Sequence, residues 1–350
     1  VAVGLGLFIL FYVLKQANPQ ALWGILRAID PARVLAVIAS TAVSYLFIAA
    51  VLHRLLQLID QPLRFFPVLQ ITLISCTLNY LMALGGLSGV AAKVYMLARK
   101  KVPPSKTLSV SMVHGFVTNT VALVFVFFGF FFLSTEYQLS RRQIGAGIAI
   151  MVIALAMTWV TIQVLVDTRF RKHLWDLLML GAMTACRVLR HPHWIHVGRA
   201  EAFYENFNAS ILLLKSNANR LWRPAGYAFL DWLFMFLTLK WSFQALHYPI
   251  SNRTLLVGFS IGIFTSIFSI TPGALGIMEG SMAGSFYLMG YDYNQALLAT
   301  LLYRIVYFLL PVLVSCFFYR SFFPPVALEA AAHHKDNAEG EEFEAPGSGP

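Results

Sequence analysis

Four ionisable side chains stand among almost wholly apolar neighbours: Lys93, Asp231, Glu279 and Arg304. Cations and carboxylates placed this way can hold an anion, relay a proton or lock two helices together as an ion pair. Two of the four follow glycine-rich breaks. Lys93 comes after Gly85-Gly86-Leu87-Ser88-Gly89, and Glu279 after Thr271-Pro272-Gly273-Ala274-Leu275-Gly276. A helix that restarts after such a break begins with unpaired N–H groups and a partial positive charge, which favours anions. Lys93, Glu279 and Arg304 together sum to +1, a balance suited to the transient retention of one phosphate or carboxylate.

The elements that must position these residues follow from composition. The 350 residues are 58% hydrophobic and 12% charged, with a mean hydropathy of +0.69. Soluble domains carry roughly 25% charged residues, so most of this surface faces hydrocarbon, and a cytosolic enzyme is excluded. The net charge of +10 then reports loop orientation, and no nucleic-acid partner is expected. Cys76, Cys186 and Cys316 are scattered and read as packing residues. His191-Pro192-His193-Trp194-Ile195-His196 reads as interfacial, with no acidic ligands beside it, so neither a metal nor another cofactor is expected. Val1 already lies in an apolar stretch, so the numbering is expected to begin inside a longer protein.

A spanning helix needs about 20 apolar residues. Residues 34–52, 107–133, 144–166, 224–246 and 294–319 satisfy this, and 1–14 is a shortened sixth. Residues 65–84 and 254–270 differ, because each runs into a Gly break and then a shorter apolar segment. Backbone groups freed at membrane depth need protein or a water-filled cavity around them. The expected fold is therefore an all-α polytopic membrane protein with six spanning helices and two re-entrant helical hairpins. At an offset of 187, Gly86, Gly89 and Val90 fall on Gly273, Gly276 and Ile277, which suggests two copies of one hairpin. Close packing through small residues is the other reading of these glycines.

Sorting Lys and Arg by loop places 17 on one side, in residues 53–64, 99–106, 167–223 and the C-terminus, and 6 on the other. Lys93, Lys240 and Arg304 remain inside. The positive-inside rule makes the richer side cytoplasmic and puts both termini there. The hairpins then enter from opposite sides, an inverted repeat around a midplane site. Arg304 lies roughly 15 Å along the last span and Asp231 about 10 Å beyond Pro224; Lys240 is near an outer end, where it snorkels.

Residues 199–222 carry Phe203, Phe207, Ile211, Leu214, Ala218 and Leu221 at intervals of three and four. An amphipathic helix is expected, lying on the cytoplasmic interface and bracing the bundle, with Arg220 and Arg223 toward anionic headgroups. Residues 1–325 are read as one transmembrane domain and 326–350, acidic and rich in Ala and Gly, as a disordered tail.

The stretch Thr271-Pro272-Gly273-Ala274-Leu275-Gly276-Ile277-Met278-Glu279, the downstream Leu302-Tyr303-Arg304 and the upstream Gly85-Gly86-Leu87-Ser88-Gly89 make the sequence resemble the lysylphosphatidylglycerol synthase transmembrane family, over roughly residues 1–325. The resemblance implies a lipid flippase of the bacterial inner membrane and no enzymatic step. Its cargo would be an anionic or aminoacylated phospholipid, or an isoprenoid or hopanoid lipid. The substrate-binding residues expected on this reading are Arg304, Glu279, Lys93, Asp231, Gly86, Gly89, Pro272, Gly273, Gly276 and Tyr303. The chain ends in the acidic tail where other members continue into a soluble aminoacyl-transfer domain, so a stand-alone form is expected. Its partners would be the membrane lipid and either a second copy of the chain or a lipid synthase.

Two alternatives stand beside this. Gly86-Leu87-Ser88-Gly89 fits the Gly-x-Ser-Gly pattern of intramembrane serine proteases, although a serine nucleophile needs a base and only His53, His114 and His247 lie in or beside apolar segments. The other is a non-transporting scaffold whose basic 167–223 segment recruits a lipid synthase.

Overall fold

A computed structural model describes residues 24, 29–82, 87–137, 141–188, 197–267 and 271–322. The expected span at 1–14, Gly85 and Gly86, the histidines of 191–196 and the tail at 326–350 lie outside the described residues. Among the described residues there are helices and no strand. In chain order these are α1 (Pro31–Leu58), α2 (Phe65–Leu81), α3 (Leu87–Ala98), α4 (Pro104–Glu136), α5 (Arg141–Val166), α6 (Thr168–Val188), α7 (Val197–Ser216), α8 (Trp222–Ala245), α9 (Asn252–Ile267), α10 (Ile277–Leu288) and α11 (Tyr293–Phe322). Short 3₁₀ turns occupy Ala218–Arg220 and Pro272–Ala274. By length and composition α1, α4, residues 147–166 of α5 and residues 293–318 of α11 can each cross a bilayer. The 24-residue α8 has the length but carries Asp231 and Lys240.

The outside of the bundle is apolar. Phe127 and Phe131 on α4, and Ile148, Val152, Leu155 and Trp159 on α5, are all exposed. In water such a surface would aggregate, whereas in hydrocarbon it costs nothing. This is the surface of an integral membrane protein.

Two helical hairpins, α2–α3 and α9–α10, pack within the bundle. In the first, Ser88 Oγ donates to the Leu78 carbonyl at 3.3 Å, so α3 folds back along α2. A Cβ on Gly89 would lie 3.0 Å from the Ser75 carbonyl oxygen and 3.1 Å from Asn79 Cβ, so glycine there permits the close approach. In the second, Gly258 lies under the Phe286 ring and Gly262 under Met282, while Thr265 Oγ1 is 2.7 Å from Ser281 Oγ.

These hairpins start from opposite ends of the bundle. The first begins where Phe66 of α2 meets Phe318 near the end of α11, ring centroids 5.6 Å apart. Its return leads to α4, whose Lys106 donates to the Ile59 carbonyl just past α1 at 3.5 Å. The second begins at the far end of α4, where Arg253 and Glu136 pair at 2.9 Å. It finishes beside Tyr248, whose hydroxyl accepts the Asp292 N–H at 2.9 Å. Around them α1 and α8 run antiparallel for their whole length, tied by Asp30 N–H to the Ala245 carbonyl (2.9 Å), Ser40 to Thr238 (2.9 Å) and Ser44 to Asp231 (2.5 Å).

The 199–222 expectation needs correction. The helix ends at Ser216 and Ala218–Arg220 forms a 3₁₀ turn, so the helical stripe stops at Leu214; Ala218 is exposed, while Leu221 still packs at the edge of the same core. The cause is local: Ser216 Oγ and Asn217 Nδ2 both donate to the Leu213 carbonyl, at 2.9 and 3.0 Å, and compete with the continuing helix. Phe207, Ile211 and Leu214 are buried in the core around the first hairpin, so α7 does brace the bundle. A second helix in the same loop, α6, starts where Asp167 Oδ1 accepts the Arg169 N–H at 2.8 Å. It docks on α7 through Arg171, which donates to Asn208 Oδ1 at 2.5 and 2.9 Å, and through Trp175 stacked on Tyr204.

Candidate functional site

The break between α9 and α10 is held open by left-handed backbone. Gly273, Ala274 and Gly276 have φ of 56°, 57° and 81°. Such φ values cost a β-carbon-bearing residue energy and glycine almost none. Gly273 has a second reason to lack a side chain, since a Cβ would strike the Phe308 ring and lie 3.3 Å from the Tyr80 carbonyl oxygen. The turn of the second hairpin therefore rests against the end of α2 and the middle of α11.

Charge locks this turn. Gly276 is the N-cap of α10, and Glu279, on the first turn, accepts its N–H at Oε2 at 2.7 Å. Glu279 Oε1 accepts Arg304 Nε at 2.8 Å, and Arg304 Nη2 donates to the Gly273 carbonyl. The guanidinium carbon sits 4.0 Å from the Phe308 ring centroid. Glu279 is 3% exposed and Arg304 8%, so the pair is buried. Among the described residues Nε and Nη2 are engaged, which leaves Nη1 and its two N–H groups for a ligand.

Asp231 joins from the other side through hydroxyls. It is buried at the middle of α8 and accepts from Ser44 Oγ at 2.5 Å. Ser44 Oγ is 3.2 Å from Tyr307 Oη, and Tyr45 Oη donates to the Tyr307 carbonyl at 2.9 Å while lying 3.2 Å from Tyr80 Oη. Tyr80 in turn packs on Phe308, with centroids 4.3 Å apart. Tyr303, 1% exposed, packs tilted against Tyr307 with ring centroids 5.7 Å apart and lies within electrostatic reach of Arg304, Asp231 and Glu279. A polar layer thus runs from Asp231 to Arg304 across α8, α1, α2 and α11.

The structure brings Arg304, Glu279, Gly273 and Gly276 into direct contact, sets Tyr303 beside them and links Asp231 through Ser44. It does not bring Lys93 to the pair. Lys93 is half-buried on α3, and among the described residues it has no hydrogen bond or ion pair; its field reaches Cys76 and His114. The +1 cluster is thus divided into a neutral pair and a separate cation. The 187 offset also fails in detail: Gly89 lies inside α3 and packs against α2, whereas Gly276 caps α10. Pro272 opens the 3₁₀ turn, and Gly86 lies outside the described residues. Ser88, the alternative nucleophile, is buried with its hydroxyl on the Leu78 carbonyl.

Ser44, Tyr45, Tyr80, Tyr307 and Phe308 escaped the sequence reading. One signal was present: Tyr303 and Tyr307 are one turn apart, on the face of α11 next to Arg304, and hydroxyl-bearing rings inside an apolar run need partners.

A carboxylate at a helix start, a buried guanidinium with donors to spare and a second carboxylate reached through hydroxyls can bind a group that carries both signs of charge. No individual curated protein sequence matches the chain. The family described as Lysylphosphatidylglycerol synthase TM region matches residues 1–315, a span that contains both hairpins and the whole polar layer, and the chain belongs to that family.

Proposed function

We propose that this protein is a lipid flippase whose α2–α3 and α9–α10 hairpins are re-entrant, dipping from the cytoplasmic and outer faces to meet near the bilayer centre. The six spans of this reading are the 1–14 segment, α1, α4, α5, α8 and α11. The observation that carries the proposal is the meeting of the second hairpin's turn with the end of α2 at a buried Arg304–Glu279 pair, with Asp231 across the same polar layer. A headgroup crosses through this layer while its acyl chains stay in lipid. Arg304 Nη1 takes the phosphate, Glu279 keeps the guanidinium in place, and Asp231 accepts from an ammonium where the headgroup is aminoacylated. Lys93, from the other hairpin, draws the anion in. No bond is made or broken, so the activity is transport and not catalysis. The basic face is cytoplasmic in a bacterial inner membrane, with both termini there, and a second copy or a lipid synthase is the protein partner.

The test is reconstitution into vesicles containing headgroup-labelled phosphatidylglycerol or its lysyl ester, with translocation read by a membrane-impermeant quencher. The wild type is expected to move label above the rate of empty vesicles, and Arg304→Ala and Glu279→Ala to lose that rate. Unchanged translocation in folded variants overturns the proposal. A wild type that moves nothing while its 167–223 segment captures a synthase makes the protein a scaffold instead.

A further inference from the structure

A second charged feature lies away from the polar layer. Where α1 ends and α8 begins, a cleft of about 380 Å³ is lined by Arg54 and Gln57 of α1 and by Arg220, Trp222, Arg223 and Pro224. Three guanidinium groups converge there, and among the described residues none of them has a carboxylate partner. Arg54 Nη1 is aimed by Gln57 Oε1 at 2.8 Å, and Gln57 is itself held 3.0 Å from His53 Nε2, so this part of the wall is pre-arranged. Arg223 rests over the Trp222 ring, 5.4 Å from its centroid, and Trp222 is 68% exposed.

Like charges gathered in one cleft repel, and the arrangement is relieved by an anion. The start of α8 adds to the potential, because its N-cap, Leu221, supplies no side-chain acceptor to the first-turn N–H groups. An exposed Trp beside Arg side chains is the composition of a membrane–water boundary. Arg guanidinium groups match phosphate oxygens in bidentate geometry, which Lys would not.

We infer that this cleft is a surface site for a phosphate group, taken either from the phosphodiester of an anionic phospholipid or as free phosphate. It is separate from the central layer, since Asp231 lies about 10 Å further along α8 than Pro224. The inference does not depend on translocation, because its readout is binding.

The full chain in detergent would be titrated with short-chain phosphatidylglycerol and, separately, with inorganic phosphate. A parallel sample would be photo-crosslinked with a headgroup-diazirine phosphatidylglycerol. Arg220→Gln should weaken binding at this site about fivefold, and Arg54→Gln/Arg220→Gln/Arg223→Gln about a hundredfold, on the scale of one basic residue near an anionic surface. The charge-matched Lys100→Gln/Lys101→Gln/Arg169→Gln variant should change it little. Loss of phosphatidylglycerol binding with crosslinks at 54–58 or 218–224 supports the site with lipid as its source. Loss of phosphate binding in the same variant supports it with the soluble anion as source. Equal effects from the two triple variants, or no binding of either probe to the wild type, overturn it. Should the first triple variant fail to fold, the exposed Arg220→Gln and the crosslink positions still decide.

Discussion

The α9–α10 hairpin carries its charge in a closed circuit, whereas the α2–α3 hairpin carries Lys93, which has no ion pair among the described residues. In the first case Glu279 is bonded to Gly276 and to Arg304, and Arg304 to Gly273, so two buried ions also satisfy the backbone of the turn between them. In the second case glycine brings the helices together, through Gly89 against Ser75, and Lys93 stands apart. Desolvating each ion costs several kcal/mol, which a well-bonded pair can recover and a lone cation cannot. Breaking the pair is therefore costly, and Lys93 has no such compensation among the described residues.

Removing one ion of the closed circuit should have the largest effect. Arg304→Ala leaves Glu279 buried without its partner and the Gly273 carbonyl without its donor, at a cost of about 3–5 kcal/mol read by thermal unfolding in a fixed detergent. Arg304→Met/Glu279→Met should be more stable than Arg304→Ala, and a double variant as unstable as the sum of its two single variants would break the closed-circuit account. Next comes Gly273→Ala, which forces a left-handed φ on alanine and drives its Cβ into Phe308, for about 1–3 kcal/mol. Gly89→Ala meets the Ser75 carbonyl at 3.0 Å but has a helical backbone, and alanine's better helix propensity, worth about 1 kcal/mol, offsets part of the crowding. A larger loss at 89 than at 273 would reverse the assignment of the two glycines.

Smaller still is Asp231→Asn. The amide oxygen keeps the Ser44 hydrogen bond, so stability should stay within about 1 kcal/mol while translocation of an aminoacylated lipid falls. Lys93→Met should leave unfolding unchanged or raise it by up to about 1 kcal/mol, since it removes a poorly solvated charge and keeps the volume. The same variant should weaken capture of phosphatidylglycerol about fivefold. Marked destabilisation would mean that Lys93 serves the fold after all.

Much of the fold was legible from the chain. The 144–166 span became Arg141–Val166, and 294–319 became Tyr293–Phe322. The break before α10 falls at the glycines that announced it, Gly273 and Gly276. Of the candidate site, Arg304, Glu279, Gly273, Gly276, Tyr303 and Asp231 were legible as residues but not as a set of contacts. Tyr45 and Tyr80 lie in helices that looked like plain apolar runs, and their hydroxyls matter only because α1 and α2 both pack on α11. The end of α7 was misplaced because spacing alone does not reveal that Ser216 and Asn217 bond back to Leu213.

Apolar length and glycine breaks are properties of a one-dimensional string measured against a bilayer, so the amino-acid order alone determined the membrane character and where a long apolar run is interrupted. The partners of the charges were a matter for the tertiary structure. Glu279 meets Arg304 across 25 positions and Ser44 meets Asp231 across 187. Which way a side chain points into a bundle depends on each helix's rotation about its own axis, and that rotation is set by all of its packed neighbours together. The same collective packing left Lys93 beside Cys76 and His114, without a contact to the pair it was expected to join.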